Sequence, residues 1–242
     1  MLTGFFMKAN GTGQAALLGG LIALGLIWGG SYLKDAVHIW KQSERVVSVK
    51  GLAEREVRAD LVLWPLSFSV SADTLENLYT AIDRDRSKIT GFLLQQGFAQ
   101  NELSFSAPVV QDVWASQYGE QRSPLRYRAD AVLLVRSNQV DLVKNSQPAV
   151  AGLVSQGVLL TQSYEHKTQY IFTGLNDIKP DMIAQATANA REAARQFADD
   201  ADAQVGGIRA AQQGYFSIAD LDSYTPEVKK VRVVTSVEYL LE

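Results

Sequence analysis

Val62-Leu63-Trp64-Pro65-Leu66-Ser67-Phe68-Ser69-Val70-Ser71 carries the pattern that decides the fold class. Val62, Trp64, Leu66, Phe68 and Val70 fall on one face; Pro65, Ser67, Ser69 and Ser71 fall on the other. A period of two describes a strand with one face on a core. Pro65 has no N–H to give to a ladder, so it predicts a sheet edge or a bulge at that position.

Downstream, the period changes. Asp73 or Thr74 is a helix cap, and Leu75, Leu78, Tyr79, Ile82, Ile89, Phe92 and Leu93 form a stripe at helical spacing that Gly97 ends. Strands are predicted over about 103–115 and 126–137, on either side of the polar loop Ser116–Leu125. A broken helical stretch covers 139–156, with Ser146 as a cap and Pro148 in the first turn of its second part. Gly157 opens a long strand to about Phe172. The best-marked helix runs from about Asp181 to Val205, stopped by Gly206-Gly207, with a stripe of Ile183, Ala186, Ala190, Ala193, Ala194, Phe197, Ala201 and Val205. Alanines on that stripe predict close packing on a sheet or another helix. Strands over about 208–217 and 229–241 complete the chain, and upstream of the opening stretch a strand over 46–57 meets a turn at Ala59-Asp60.

Strand pairs separated by single helices, with no glycine-rich phosphate loop after a strand, indicate an α+β fold. The expectation is a mostly antiparallel sheet packed against two long helices and one short broken helix, preceded by one transmembrane helix. Its parts are a short N-terminal region 1–14, a transmembrane signal anchor 15–33, a connector 34–45 and a folded domain 46–242.

The anchor rests on Ala15 to Leu33, a run without a charged side chain that Lys34 and Asp35 close. As a helix it spans roughly 28 Å, close to the hydrocarbon thickness of a bilayer. Trp28 and Tyr32 stand near its outgoing end, where amphipathic aromatics favour the interface. The competing reading is a cleaved secretory signal starting at Met1 or at Met7-Lys8. Gly29-Gly30-Ser31 is a poor cleavage site and the run exceeds a usual signal core, which favours an uncleaved anchor. Lys8 before the segment, against Lys34, Lys41 and Arg45 after it, taken alone would put the domain in the cytoplasm.

Composition removes several function classes. A net charge of −3 gives no electrostatic reason to expect nucleic acid, and zero cysteines exclude disulfides, thiol nucleophiles and Cys-based metal sites. Of the two histidines, His38 lies in the connector and His166 sits between Glu165 and Lys167 on an expected solvated face. No HExxH pair or Gly-x-Ser-x-Gly elbow occurs. Asp199 and Asp202 share a helix face near a helix end and with Asp200 could meet a divalent cation, although a solvated acidic face is the simpler account. Arg126, Arg128 and Arg136 are candidates for an anion-binding row or for ordinary ion pairs, and Ser116–Leu125 is a partner-binding tip or a hairpin connection. No residue is assigned a catalytic, cofactor-binding or metal role.

Val47-Ser48-Val49-Lys50-Gly51 and Ala53-Glu54-Arg55-Glu56-Val57 with Ala59-Asp60 resemble the opening hairpin of the SIMPL domain. Tyr127-Arg128-Ala129 leading to Leu134-Val135-Arg136 is similar to its central strand, and Gly157-Val158 through Phe172 to the strand before its last helix. Ala186, Ala190, Arg191, Ala193, Ala194 and Ala198 ahead of Gly206-Gly207 resemble that helix, with Val205 where the family often has leucine. The resemblance covers about 46–241. It implies an exported bacterial envelope protein, in a family with links to oxidative-stress defence, with no established reaction, and with at least one ring-like homo-oligomer. Export outweighs the local charge count, so the expected location is the inner membrane with the C-terminal domain in the periplasm; the alternative is a cleaved, soluble periplasmic protein. The expected partners are the bilayer, through the N-terminal helix, and further copies of the chain. The expected function is non-enzymatic and structural or stress-related. The alternative is a periplasmic binding module that takes a small ligand or a protein in a groove between sheet and helices.

Overall fold

A computed structural model describes residues 45–116, 123–162 and 166–242, together with Gly19, Gly20, Leu21, Gly25 and Trp28. Those five are helical and exposed; the rest of the expected anchor, the N-terminal region and the connector up to 44 lie outside the described residues. Among the described residues no helix is long and apolar enough to cross a membrane.

The elements are β1 (Val46–Arg58), β2 (Leu61–Ala72), α1 (Leu75–Gln96), a 3-10 turn (Gln100–Glu102), β3 (Leu103–Phe105), β4 (Val109–Asp112), α2 (Val113–Ser116), β5 (Tyr127–Ser137), α3 (Val140–Ser146), a 3-10 turn (Pro148–Val150), α4 (Ala151–Ser155), β6 (Leu160–Thr161), β7 (Gln169–Ile171), α5 (Leu175–Asp200), β8 (Val205–Gln213), β9 (Ser217–Asp220) and β10 (Val228–Leu241). The α+β class holds, but the expected single sheet is two antiparallel sheets. One has the order β1-β10-β8, with β9 also on β10; the other has the order β3-β5-β2-β6, with β4 on β5 and β7 on β2. The chain divides into two compact units. One comprises Met1–Leu52, Gln185–Gly214 and Val234–Glu242, the other Ala53–Ala184 and Tyr215–Val233.

In the larger unit, β2 and β5 pair along their whole length, from Val62↔Ser137 to Ala72↔Tyr127. The apolar row of β2 and Ala129, Ala131, Leu133 and Val135 of β5 meet Leu78, Ile82, Ile89 and Leu93 of α1 in one core. Thr74 Oγ1 accepts the N–H of Asn77 at 3.2 Å to start α1. Gly97, at φ 101°, ends it, and the Phe98 N–H reaches back to Leu93 O. Leu75 and Tyr79 prove exposed, because they begin the helix to one side of its buried stripe.

The predicted strand 103–115 is two short strands and a helical turn, and among the described residues of the predicted strand 157–172 only β6 and β7 are strand. Ser146 is the buried last residue of α3 and caps nothing; Pro148 opens the next turn. The last helix begins earlier than expected, at Leu175, with Pro180 inside it. Asp60, in the β1–β2 turn, supplies the reason. Its carboxylate accepts the N–H groups of Thr173 (2.9 Å) and Gly174 (3.1 Å) and the Thr173 hydroxyl (3.0 Å). A negative charge at those amides favours starting a helix there.

In the smaller unit, α5 lays Ala190 and Ala194 on Val49, Val237 and Tyr239. The buried row of α5 as a whole is Met182, Ala186, Ala190, Ala194 and Ala198, spaced by four. Ile183 and Ala193 are only half-buried, whereas Ala201 is exposed and Phe197 is 60% exposed, so the expected stripe is rotated. Helix α5 stops at Asp200. Asp202 takes φ 48°, and the Ala203 N–H bonds Ala198 O at 2.9 Å, a left-handed cap made by aspartate. Gly206 and Gly207 lie in β8.

Candidate functional site

The face of the larger sheet turned away from α1 holds an extended concavity. Antiparallel register sets Pro65 opposite Leu134, Ser67 opposite Val132 and Ser69 opposite Asp130, with Ser104 of β3 beside Leu134. On the other flank of β2, β6 pairs with Ser67 and Phe68, and β7 with Leu61 to Leu63. Opposite Trp64 to Leu66 the pairing stops: no described residue is a ladder partner on this flank, and residues 163–165 lie outside the described residues.

Pro65 accounts for the break. The Ser69 N–H bonds Leu159 O at 2.9 Å, which fixes the backbone groups that point to this flank. Every second residue points the same way, so Ser67 and then Pro65 follow. Pro65 has no N–H to hold a strand there. The sequence expectation of an edge or bulge at Pro65 thus takes the form of a gap in the sheet.

The gap opens a furrow. One cavity of about 620 Å³ is lined by Pro65, Ser67, Gln147, Thr161, His166 and Lys167 among others. Two more, of about 320 and 500 Å³, share His166 with it and reach Ser104 and Leu134 in one direction, Arg128 and Asp130 in the other. Ser67 is 9% exposed and its Oγ is buried without a hydrogen-bond partner. Its neighbours are satisfied: Arg128 Nε donates to Ser69 Oγ at 3.1 Å, Arg128 NH2 to Asp130 at 3.1 Å, and Ser106 Oγ to Val132 O at 2.9 Å.

The sequence candidates fare unevenly. His38 lies outside the described residues; His166 is exposed, as expected of a solvated position, yet lines the furrow. Arg126, Arg128 and Arg136 form no row. Arg126 grips Asp112 through Nε (3.1 Å) and NH2 (2.8 Å) and lies over the rings of Trp114 and Tyr127. That hydrogen bond holds the Asp112 carboxyl below its ordinary range and raises the guanidinium. Arg128 and Arg136 point the same way but stand roughly 27 Å apart along the strand. Asp199 and Asp200 end α5 and Asp202 caps it; among the described residues no group of three His, Asp or Glu is placed to hold a metal. Of the loop Ser116–Leu125, residues 117–122 lie outside the described residues.

Buried charge was missed from sequence. Glu227, 6% exposed, receives the Lys144 ammonium, whose hydrogen bond lowers the Glu227 carboxyl below its ordinary value and raises Lys144. Nearby Tyr170 is pushed up by burial. The folded carboxyl titrates below the unfolded one, so the stability it confers is present above the unfolded value of about 4.3 and lost as pH falls through the lowered folded value. Acid unfolding followed by circular dichroism is therefore expected to lose part of its pH dependence below about pH 4.3 in Glu227→Gln. An identical acid limb would remove the pair from the account. Asp85, buried between Ile82 and Ile89 on the α1 stripe, was legible as a polar residue at a core position and is met by Arg84 Nε at 2.8 Å.

The smaller unit offers a different surface. Strand β8 stands at the end of its sheet order, and from Gly207 to Gln213 every residue is exposed. It carries one charge, Arg209, and no proline. The Gly214 N–H bonds Val234 O at 2.8 Å. By alternation Gln212 and Ala210 bond β10, while the backbone groups of Gln213 and Ala211 point to the open edge; beyond Ala210 the register shifts.

No curated protein matches the chain. The family model SIMPL, described as a protein of unknown function (DUF541), matches residues 47–239, which takes in both sheets, the furrow and β8. With most of its length matched in this way, the chain belongs to the SIMPL (DUF541) family.

Proposed function

We propose that this chain is a membrane-tethered, non-enzymatic protein of the cell envelope whose folded part lies in the periplasm and associates with further copies through β8. The uncharged run 15–33 supports the tether, and Leu21 and Trp28 within it are helical and exposed, as a helix facing lipid requires. The periplasmic side follows from the resemblance to exported relatives. A composition without cysteine and with two histidines supports the non-catalytic reading.

The observation that carries association is the outer edge of β8, on which no described residue pairs. An unpaired strand edge is a template for another strand, and soluble proteins blunt such edges with lysine, proline or a covering element. From Gly207 to Gln213 this edge has a single arginine as protection. A second copy of β8 fits, since small side chains at Gly207, Ala210 and Ala211 let two strands approach. Ala211→Pro tests it, because proline there removes an outward donor and spares the bonds to β10. Light scattering on the full chain in detergent is expected to give a multimer for the parent and a monomer for Ala211→Pro. A monomeric parent at micromolar concentration sinks the reading.

A second reading, a binding module, is favoured by the unpartnered Ser67 hydroxyl in the furrow.

A further inference from the structure

We infer that the furrow over β2 and β5 binds an uncharged molecule with an apolar body and a carbonyl oxygen, an amide or an ester. The inference rests on the binding-module reading of the same furrow and does not depend on association through β8. Three observations carry it.

The first is size and shape. The largest chamber, about 620 Å³, is in the range of small-molecule sites. It shares Pro65 with the second chamber and Ser67 with the third, so the three adjoin along the sheet face. A furrow of that form suits an elongated body.

The second is charge. Among the described lining residues of the three chambers, the lysine, arginine and carboxylate groups are those of Lys167, Arg128 and Asp130. Arg128 NH2 donates to Asp130 at 3.1 Å, and Arg128 Nε to Ser69 Oγ at 3.1 Å. Lys167 has an interaction of its own. None of these charges is free to pair with a ligand. An anion or a cation entering the furrow would give up its water for no counter-charge, a cost that an uncharged group of the same shape largely escapes.

The third is hydrogen bonding. Gln147 Nε2 donates to Thr168 Oγ1 at 3.0 Å and Ser106 Oγ to Val132 O at 2.9 Å, so these groups line the furrow already satisfied. Ser67 differs. Its Oγ is buried without a partner, which is uncommon in folded proteins, and its side chain borders both the largest chamber and the chamber that reaches Arg128. Val132 stands opposite it on β5, and Pro65, Val150 and Leu160 add apolar wall. A carbonyl oxygen gives the hydroxyl an acceptor while the body covers the wall. A plain hydrocarbon would leave the hydroxyl unmet.

Full-length protein in phosphatidylcholine nanodiscs, titrated calorimetrically against empty nanodiscs, tests the assignment. The probes share one skeleton: cinnamamide, methyl cinnamate, cinnamate and cinnamylamine. The uncharged pair is expected to supply the saturable binding, and the tighter of the two separates amide from ester recognition. Cinnamate and cinnamylamine are each expected to bind at least about ten-fold more weakly, the lower end of the cost of an unpaired desolvated charge. Ser67→Ala is expected to weaken the uncharged ligand about five-fold, the equivalent of one neutral hydrogen bond. It removes only a hydroxyl that no group of the fold meets, so the variant folds as the parent does. Cinnamate or cinnamylamine binding as tightly as the uncharged pair overturns the inference and leaves the furrow a binding site. No saturable binding by any of the probes overturns the inference and the binding-module reading together. Uncharged binding that Ser67→Ala leaves intact also overturns the inference, since the carbonyl would then lie away from Ser67.

Discussion

Gly51→Ala is expected to unfold the smaller unit at denaturant concentrations the parent tolerates, with a loss of about 3 kcal/mol or more, at or beyond the upper end of overpacking effects. A Cβ at Gly51 would overlap Ala186 O and lie 2.5 Å from Ala190 N. These are helix backbone atoms, which cannot rotate away as a side chain would. Relief requires moving α5 off β1, and with it the contacts of Ala190 and Ala194 on Val49, Val237 and Tyr239. It would also pull Asn189 Nδ2 from Leu52 O, which it meets at 2.8 Å. Gly207→Ala is the control, since nothing lies within 4 Å of a Cβ there. Equal urea midpoints for the two variants would mean that α5 does not approach β1 this closely.

The requirement at Gly51 is steric, and it gives the alanine-rich helix its meaning. The spacing of alanines on α5 was legible in the sequence as close packing, but nothing in a helix says what it approaches. The partner is a single glycine far away in sequence, with ordinary backbone torsions and no turn to advertise it. Ends of elements were legible where the capping residue is a strong one, as at Thr74 and Gly97. They were misread where a weaker device does the work. The end of α5 is made by Asp202 in a left-handed conformation, so the conspicuous Gly206-Gly207 pair was free to enter β8. Its start is made by Asp60, brought from another part of the chain. Such long-range capping leaves no local pattern.

The candidate site was half-legible for the same reason. Pro65 in a well-patterned strand announced an irregularity, and its consequence, a furrow, needed the register of β6 and β7 to be known. The run from Gly157 to Phe172 looks continuous because residues on both sides of the gap have strand character. What breaks it is the proline on the facing strand. His166, read as solvated, is indeed exposed, and owes any role to the furrow beneath it.

Phe68→Ala separates the core from that furrow. Phe68 is fully buried and stacks at 6.4 Å on Phe105, inside the core that α1 closes. Truncating a buried phenylalanine costs about 3–5 kcal/mol, because a sheet roofed by a helix relaxes only partly into the hole. The expected result is a large fall in the urea midpoint of the larger unit. Ser67, its chain neighbour, points to the opposite face because successive strand residues alternate. Ser67→Val removes a buried hydroxyl that has no partner, so it is expected to leave the midpoint nearly unchanged or raise it. The pair makes a sharp test on adjacent residues. If Ser67→Val destabilises as much as Phe68→Ala, the hydroxyl is part of the core's own hydrogen bonding and the furrow loses its buried donor. If the two differ as expected, a polar group is being kept at the floor of the furrow at no benefit to the fold, which is what a binding role requires.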